Sequence, residues 1–399
     1  MDQILFESAY GSLTLSRGPE ERNRSLQAWN SADQYMLEKM SEDGTEEGSH
    51  LLIVNDSFGA LTVPLTGKFK VYCWNDSFCA EKHIRRNLRE NGIDENTVVF
   101  LSPEDHLPGS IDLVLLKNPK SLNFLEFILQ RLSRQLPEGT KILAGDMARN
   151  IHRSTVSLFE SFLPGAKTSL AWKKARLVEG SVSRTERETL THTEGSPEKS
   201  PARNPDGSSA GETFPVEYKP EGLSSTLVNY PNLFAFGRLD PGSAFMIGNM
   251  PEPASVPQRI VDVACGDGVL ALKAAELWPE ASFLCTDESR LAVRSARESF
   301  ERNDYGDRAE FMVTDGLEGV EPDQADLVLC NPPFHDNHSL STSTALKMFS
   351  QSREVLKRGG ELFVIANRHL GYEKSLGRLF SKVSVFRTNK KFAIIRAVK

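Results

Sequence analysis

Residues 259–272 read RIVDVACGDGVLAL, and residues 325–334 read ADLVLCNPPF. The first is a short apolar run that breaks at Gly266-Asp267-Gly268 and resumes with helical character over Val269–Leu277. The second is an apolar run that stops at Asn331-Pro332-Pro333-Phe334. Between them, Ser282–Thr286 reads as a strand ending at Asp287, and Leu291–Arg302 as a charged amphipathic helix. Glu361–Ala366 is a further strand after Gly359-Gly360. Strands alternating with helices predict an α/β fold with a parallel, doubly wound sheet. Such sheets bind ligands beyond the carboxyl ends of their strands. The glycine turn, Asp287 and Asn331 all fall at strand ends, so this fold would gather them on one rim.

Working outward, the first half of the chain repeats this pattern. LLIVNDSFGALT at 51–62, VYCWNDSFCAEKHIRRNLRENG at 71–92 and IDLVLLKNPK at 111–120 follow the order of the second-half segments. Gly59 pairs with Gly268, Asp76 with Asp287, Asn91 with Asn303 and Asn118 with Asn331, at offsets of 209 to 213 residues. A near-constant offset implies a duplicated fold: two tandem Rossmann-like domains, residues 1–180 and 214–399. The first copy is degenerate. Asn118-Pro119 is followed by Lys120 and Ser121, and the first glycine loop keeps only Gly59, beside a bulky Phe58. Residues 181–213 interleave Pro197, Pro201 and Pro205 with Ser, Gly and charges, and read as a flexible linker or insertion.

Two constellations carry chemistry in the second copy. Asp262, Cys265, Gly266, Asp267 and Gly268 form a strand-to-helix turn that admits a ligand close to the backbone, and Asp287 can accept hydrogen bonds from a ribose diol. Gly266-x-Gly268-x-x-Ala271 also fits a relaxed dinucleotide fingerprint. Acidic residues at 262 and 267 would repel a pyrophosphate but suit a cationic sulfonium, which favours S-adenosyl-L-methionine over NAD(P). Asp315, ending the next strand, could accept from an adenine amino group. The second constellation is Asn331-Pro332-Pro333-Phe334. An Asn side-chain oxygen and the Pro332 carbonyl can accept the two N–H bonds of an exocyclic amine, and Phe334 can stack on an extruded base.

Composition sets the frame. The 399 residues carry 54 Asp+Glu against 47 Lys+Arg, a formal charge of -7. That total hides a local excess: residues 351–399 hold twelve Lys/Arg against three Glu, as RNA phosphate binding would require. Residues 141–180 hold seven against three acids. Five cysteines with no C-x-x-C pair argue against a disulfide scaffold or zinc ribbon, and fit a cytoplasmic setting. Cys265, Cys285 and Cys330 read as small buried hydrophobes. His335 and His338 have no further ligands nearby, so no metal is expected. No basic, apolar leader and no long apolar run occur, so no membrane partner is expected either. A monomer is expected.

Asp262-x-x-Cys265-Gly266-x-Gly268, Asp287 and Asn331-Pro332-Pro333-Phe334, with Phe236-Gly237-Arg238-Leu239-Asp240-Pro241-Gly242-Ser243 ahead of them, resemble the RlmG/RsmC family of tandem-domain class I rRNA guanine-N2 methyltransferases. Asn55–Leu61, Leu170–Arg176, Ala366–Leu370 and Asn389–Phe392 are closer to its large-subunit members. The resemblance covers nearly the whole chain outside 181–213. It implies methyl transfer from S-adenosyl-L-methionine to a guanine N2 in 23S rRNA, with a catalytic second domain and a first domain kept for RNA binding or support. A 16S rRNA target, an adenine N6, a glutamine amide, or a non-catalytic RNA-binding role in assembly remain the alternatives.

Overall fold

The structure is a computed structural model, and it describes residues 5–18, 26–183, 214–333 and 338–399. The first domain contains β1 (Leu5–Ser8), β2 (Gly11–Thr14), α1 (Ser31–Glu42), β3 (His50–Val54), α2 (Thr62–Leu65), β4 (Lys70–Trp74), α3 (Phe78–Glu90), β5 (Val98–Leu101), β6 (Leu113–Lys117), α4 (Leu122–Gln135), β7 (Lys141–Met147), α5 (Arg153–Phe162), β8 (Lys167–Thr168) and β9 (Ala175–Ser181). The second contains β10 (Val216–Tyr218), β11 (Leu227–Asn229), α6 (Pro241–Ile247), β12 (Arg259–Val263), α7 (Val269–Leu277), β13 (Ser282–Asp287), α8 (Arg290–Arg302), β14 (Ala309–Val313), β15 (Ala325–Cys330), α9 (His338–Val355), β16 (Leu356–Asn367), α10 (Tyr372–Leu376), β17 (Lys382–Thr388) and β18 (Phe392–Val398).

Each domain is built on a seven-stranded sheet, ordered β5-β4-β3-β6-β7-β9-β8 in the first and β14-β13-β12-β15-β16-β18-β17 in the second. The order is the same in both, so the duplication extends to topology. Five strands of each sheet run parallel. The sixth in order, β9 or β18, runs antiparallel between two neighbours, and the edge strand, β8 or β17, returns to the common direction, against the expectation of a wholly parallel sheet. Strand direction is set by connection length, and a short turn such as that between β17 and β18 permits only an antiparallel return. The central strands are buried on both faces, which explains their unbroken apolar runs: Leu51 to Val54, Leu113 to Leu116 and Leu327 to Cys330. β9 runs to Ser181, one residue into the stretch read as a connector, and Val182 after it is buried. The rest of that stretch, 184–213, lies outside the described residues.

The domains meet through a reciprocal cap. Asp76 accepts from Ser289 Oγ at 2.7 Å and the Leu291 amide at 2.8 Å, closing the first turn of α8. Glu288 accepts from Ser77 Oγ at 2.5 Å and the Cys79 amide at 3.4 Å, at the first turn of α3. The Phe78 amide donates to the Glu288 carbonyl and the Arg290 amide to the Asp76 carbonyl. Every pair is related by the same 212-residue offset, so the contact has a pseudo-twofold axis. Asp76 therefore corresponds to Glu288, and Asn75 stands where Asp287 stands. The alignment of Asp76 with Asp287 was one residue out. Asn232 also donates to Asp76 at 2.8 Å, and Arg290 pairs with Glu81 at 2.6 Å. One apolar cluster runs through the contact, joining Phe127 and Trp74 to Phe214, Tyr230 and Leu291.

Asp76 is buried, and its replacement leaves three donors without an acceptor. Asp76→Ala is expected to lower the unfolding free energy by about 2–3 kcal/mol, the scale of hydrogen bonds to a charged group. Urea denaturation checks this, and a loss below roughly 0.5 kcal/mol would show the cap to be idle.

Candidate active site

The site is assembled along the carboxyl edge of the second sheet. Val263 on β12 stands level with Thr286 on β13 and Cys330 on β15, and Asp287 with Val313 on β14. Asp315, Asp287, the glycine turn and Asn331 thus leave the sheet side by side. The turn is strongly left-handed: Ala264 has φ 59°, Gly266 57° and Gly268 82°. At Gly268 a Cβ would lie 3.2 Å from Ala296 Cβ on α8, so glycine is required for packing as well as for φ. At Gly266 a Cβ would meet nothing within 4 Å, which leaves open space against the backbone for a ligand. Cys265 and Cys330 are buried, as expected.

The carboxylates divide by role. Asp262 Oδ2 accepts from the Ala271 amide at 3.1 Å, in the first turn of α7, while Oδ1 is buried without a partner. Burial raises its pKa to about 8, with Asp287 and Asp267 adding to the rise. Asp287 accepts from the Gly266 and Ser289 amides, both at 3.0 Å, and burial raises it too. It joins the turn to α8 and thereby to the reciprocal cap. Asp267 faces inward: Tyr218 donates to it at 2.7 Å and Asn229 at 3.0 Å, and burial pushes it up to about 6. Asp315 is held by Lys347 at 2.6 Å and by Lys82 of the first domain at 3.3 Å. Burial opposes its ionisation, but the two ammonium groups hold it below its ordinary value.

Asn331 donates its amide to Ser243 Oγ at 3.0 Å and to Asp240 Oδ2 at 3.3 Å. An ionised carboxylate only accepts, so Asp240 fixes which end of the amide faces it. Asn331 Oδ1 is then left buried, an acceptor without a donor. Asp240 is itself set by α6: as N-cap it accepts from the Gly242 amide at 2.8 Å and the Ser243 amide at 3.1 Å, with Pro241 fixing the first turn. Pro332 is buried and Pro333 exposed; Phe334 lies outside the described residues. Asp240 and Ser243 carry a positioning role that the sequence reading did not assign. The signal was the Asp-Pro-Gly-Ser cap, which names a helix start but not what it touches. Among the described residues no three metal-ligating side chains cluster, and no helix is long and apolar enough to cross a membrane.

The first domain fills the same positions differently. Asn55 repeats the left-handed φ of Ala264, at 64°, and Gly59 that of Gly268, at 88°. Ser57 replaces Gly266. Phe58 replaces Asp267 and stacks on His83, with Arg17 over its ring. Asp56 turns into the loop and accepts from the Gly59, Leu61 and Thr62 amides. Val54 pairs with Leu116 as Val263 pairs with Cys330, so Lys117, not Asn118, stands at the position of Asn331. Lys117 pairs at 2.5 Å with the fully buried Asp33 of α1, where the second domain places Asn331 against Ser243.

These observations define a two-domain α/β protein with a candidate ligand site on the carboxyl edge of its second sheet. Residues 224–396 match the family model described as "Methyltransferase small domain", and residues 3–184 match "RLMG N-terminal domain". This pairing, in this order, supports the RlmG/RsmC family. A solved structure described as the T. thermophilus 16S rRNA N2-guanine methyltransferase RsmC, in complex with AdoMet and guanosine, is 19% identical with a TM-score of 0.72. The match covers 100% of this chain and 98% of that one, so the two share the whole tandem fold. M. jannaschii TYW2 in complex with AdoMet is 15% identical with a TM-score of 0.36, covering 47% of this chain and 86% of that one.

Removing Lys117 leaves an uncompensated carboxylate at Asp33. Lys117→Met is expected to cost about 3 kcal/mol, and Lys117→Met with Asp33→Asn to recover most of it. Denaturation of the double-mutant cycle checks this; additive losses would show the pair to be uncoupled.

Proposed function

We propose that the chain transfers a methyl group from S-adenosyl-L-methionine to the exocyclic N2 of a guanine in 23S rRNA, with residues 214–399 as the catalytic domain. The observation that carries this reading is the buried, partnerless Asn331 Oδ1, aimed by Asp240 and Ser243 and needing an N–H donor. A buried acceptor left unsatisfied is costly, and an N–H supplied by a ligand at this rim would satisfy it. The likeness to RsmC supports the guanine amine, and the match of the first domain to the RlmG model favours 23S over 16S rRNA.

The residues present suit the cofactor: open backbone at Gly266, a ribose acceptor at Asp287, and the unpaired acid oxygen of Asp262 in a carboxylate cluster. When bound, S-adenosyl-L-methionine supplies an electrophilic methyl on a cationic sulfur. Asn331 Oδ1 accepts one N–H of the amine, and we assign the Pro332 carbonyl to the other. Holding both hydrogens fixes the nitrogen and opposes delocalisation of its lone pair into the ring. Asp240 and Ser243 keep the amide from rotating. Phe334 is assigned to stack on the base, and Asp315, braced by Lys82 and Lys347, to the adenine edge. Cys265 and Asp267 shape the turn. The first domain, with Phe58 and Lys117 filling its own site, binds no cofactor and serves RNA binding or support.

Asn331→Ala is expected to reduce methyl transfer to rRNA at least about 100-fold, with S-adenosylhomocysteine affinity unchanged. Filter-binding with labelled cofactor and calorimetry check this; retained activity would overturn the assignment. Mapping the methylated nucleotide in rRNA from cells lacking the gene tests the 23S target.

Asp262 adds a pH test. In the free protein it holds a proton up to about pH 8. A cationic ligand favours the ionised form, so binding releases a proton. Affinity for S-adenosyl-L-methionine is expected to rise from pH 6.5 to 8 and then level, with a shallower slope for S-adenosylhomocysteine, whose sulfur is neutral. Equal slopes in calorimetry would separate Asp262 from the sulfonium charge.

A further inference from the structure

Beyond Asn331 along the same sheet edge lies an open concavity of about 470 Å³ lined by Arg368, His369, Lys390 and Lys391. All four are exposed, and no carboxylate lines it. Two turns carry them: one leaves β16 and the other enters β18. The turns are tied together, since the Arg368 amide donates to the Lys391 carbonyl at 3.0 Å and the Arg368 guanidinium to the Asn389 carbonyl at 3.4 Å. Asn389 Oδ1 stiffens its own turn by accepting from the Lys391 and Phe392 amides at 2.8 and 2.7 Å. Like charges are thus held together on a fixed backbone, an arrangement that an anion stabilises.

The concavity is mechanically joined to Asn331. Phe392 stacks on Phe245 of α6, the helix whose cap, Asp240, and third residue, Ser243, grip the Asn331 amide. Cys330 pairs with Val364, which puts Ile365 level with Asn331. Arg368 is three residues further on, about 10 Å at strand spacing.

We infer that Arg368, His369, Lys390 and Lys391 form a phosphodiester-binding site that holds the RNA backbone next to the target nucleotide. The inference rests on the functional reading above and assigns its substrate contact. An extruded base gives up stacking and pairing, and its flanking phosphates are where a protein can anchor the strand without reading sequence. Arg and Lys in a preformed pocket suit that role.

The test compares the full-length protein with Lys390→Ala/Lys391→Ala, on rRNA from cells lacking the gene. The double variant is expected to raise the KM for rRNA about tenfold with kcat at saturating RNA largely kept. Each lost phosphate contact should lower the slope of log affinity against log salt by about 0.7–0.9. Lys390→Arg/Lys391→Arg should restore the slope. An unchanged KM and slope in an active protein would overturn the inference. Wild-type protein that binds rRNA with the predicted slope but transfers no methyl would overturn the functional reading and leave the phosphate site standing.

Discussion

The reciprocal cap between Asp76 and Glu288 constrains everything downstream of it. Each helix is capped by its own serine, Ser77 on α3 and Ser289 on α8, and each carboxylate adds an acceptor for that serine and for one more amide from the other domain. α8 begins at the residue after Ser289, and the Ser289 amide holds Asp287. Asp287 in turn holds the Gly266 amide. A chain of three hydrogen-bonded links therefore runs from the first domain to the glycine turn of the second. Lys82 on α3 supplies a second tie, to Asp315 at the far end of the same edge. The first domain is part of the frame on which the site is built.

The two copies show how little separates a site from a scaffold. Topology, strand register and the left-handed turn are common to both. The differences concentrate at the rim: Ser57 for Gly266, Phe58 for Asp267, Asn75 for Asp287, Lys117 for Asn331. The first-domain residues at two of these positions are engaged locally, although Asn118 Oδ1 stays buried without a donor. Lys117 pairs with buried Asp33, and Asp56 gathers three loop amides. The second domain leaves Asn331 Oδ1 and Asp262 Oδ1 unsatisfied. Orphaned acceptors cost stability, and the two in the second domain lie on the rim where a ligand could complete them.

Much of this was legible in the sequence because the signals are local. Apolar runs between glycines and prolines marked β12, β13 and β15, and Asn331 and Asp287 fell at their ends. Identical letters pair Asp76 with Asp287 and Asn118 with Asn331, whereas strand register pairs unlike residues. Identity is a poor guide where one copy has lost its chemistry. Asp240 and Ser243 were hidden for a different reason: they reach Asn331 across about 90 residues, and a cap motif does not say what lies opposite it. The pairing of Lys82 with Asp315 spans two domains and leaves no periodic trace.

The carboxylates also decide between the two cofactor chemistries that the glycine pattern permits. Asp262, Asp267 and Asp287 are crowded enough that each is raised by burial, and Asp262 is raised further by the other two. Tyr218 and Asn229 neutralise Asp267 by hydrogen bonding, and the Gly266 and Ser289 amides do so for Asp287. Asp262 keeps one bare oxygen. A pyrophosphate brought against that oxygen would add like charge to a buried acid and drive its pKa higher still. A sulfonium does the reverse, compensating a charge that burial has made expensive. The same residues that weaken the case for a dinucleotide strengthen the case for a cationic methyl donor, and the glycines serve either equally.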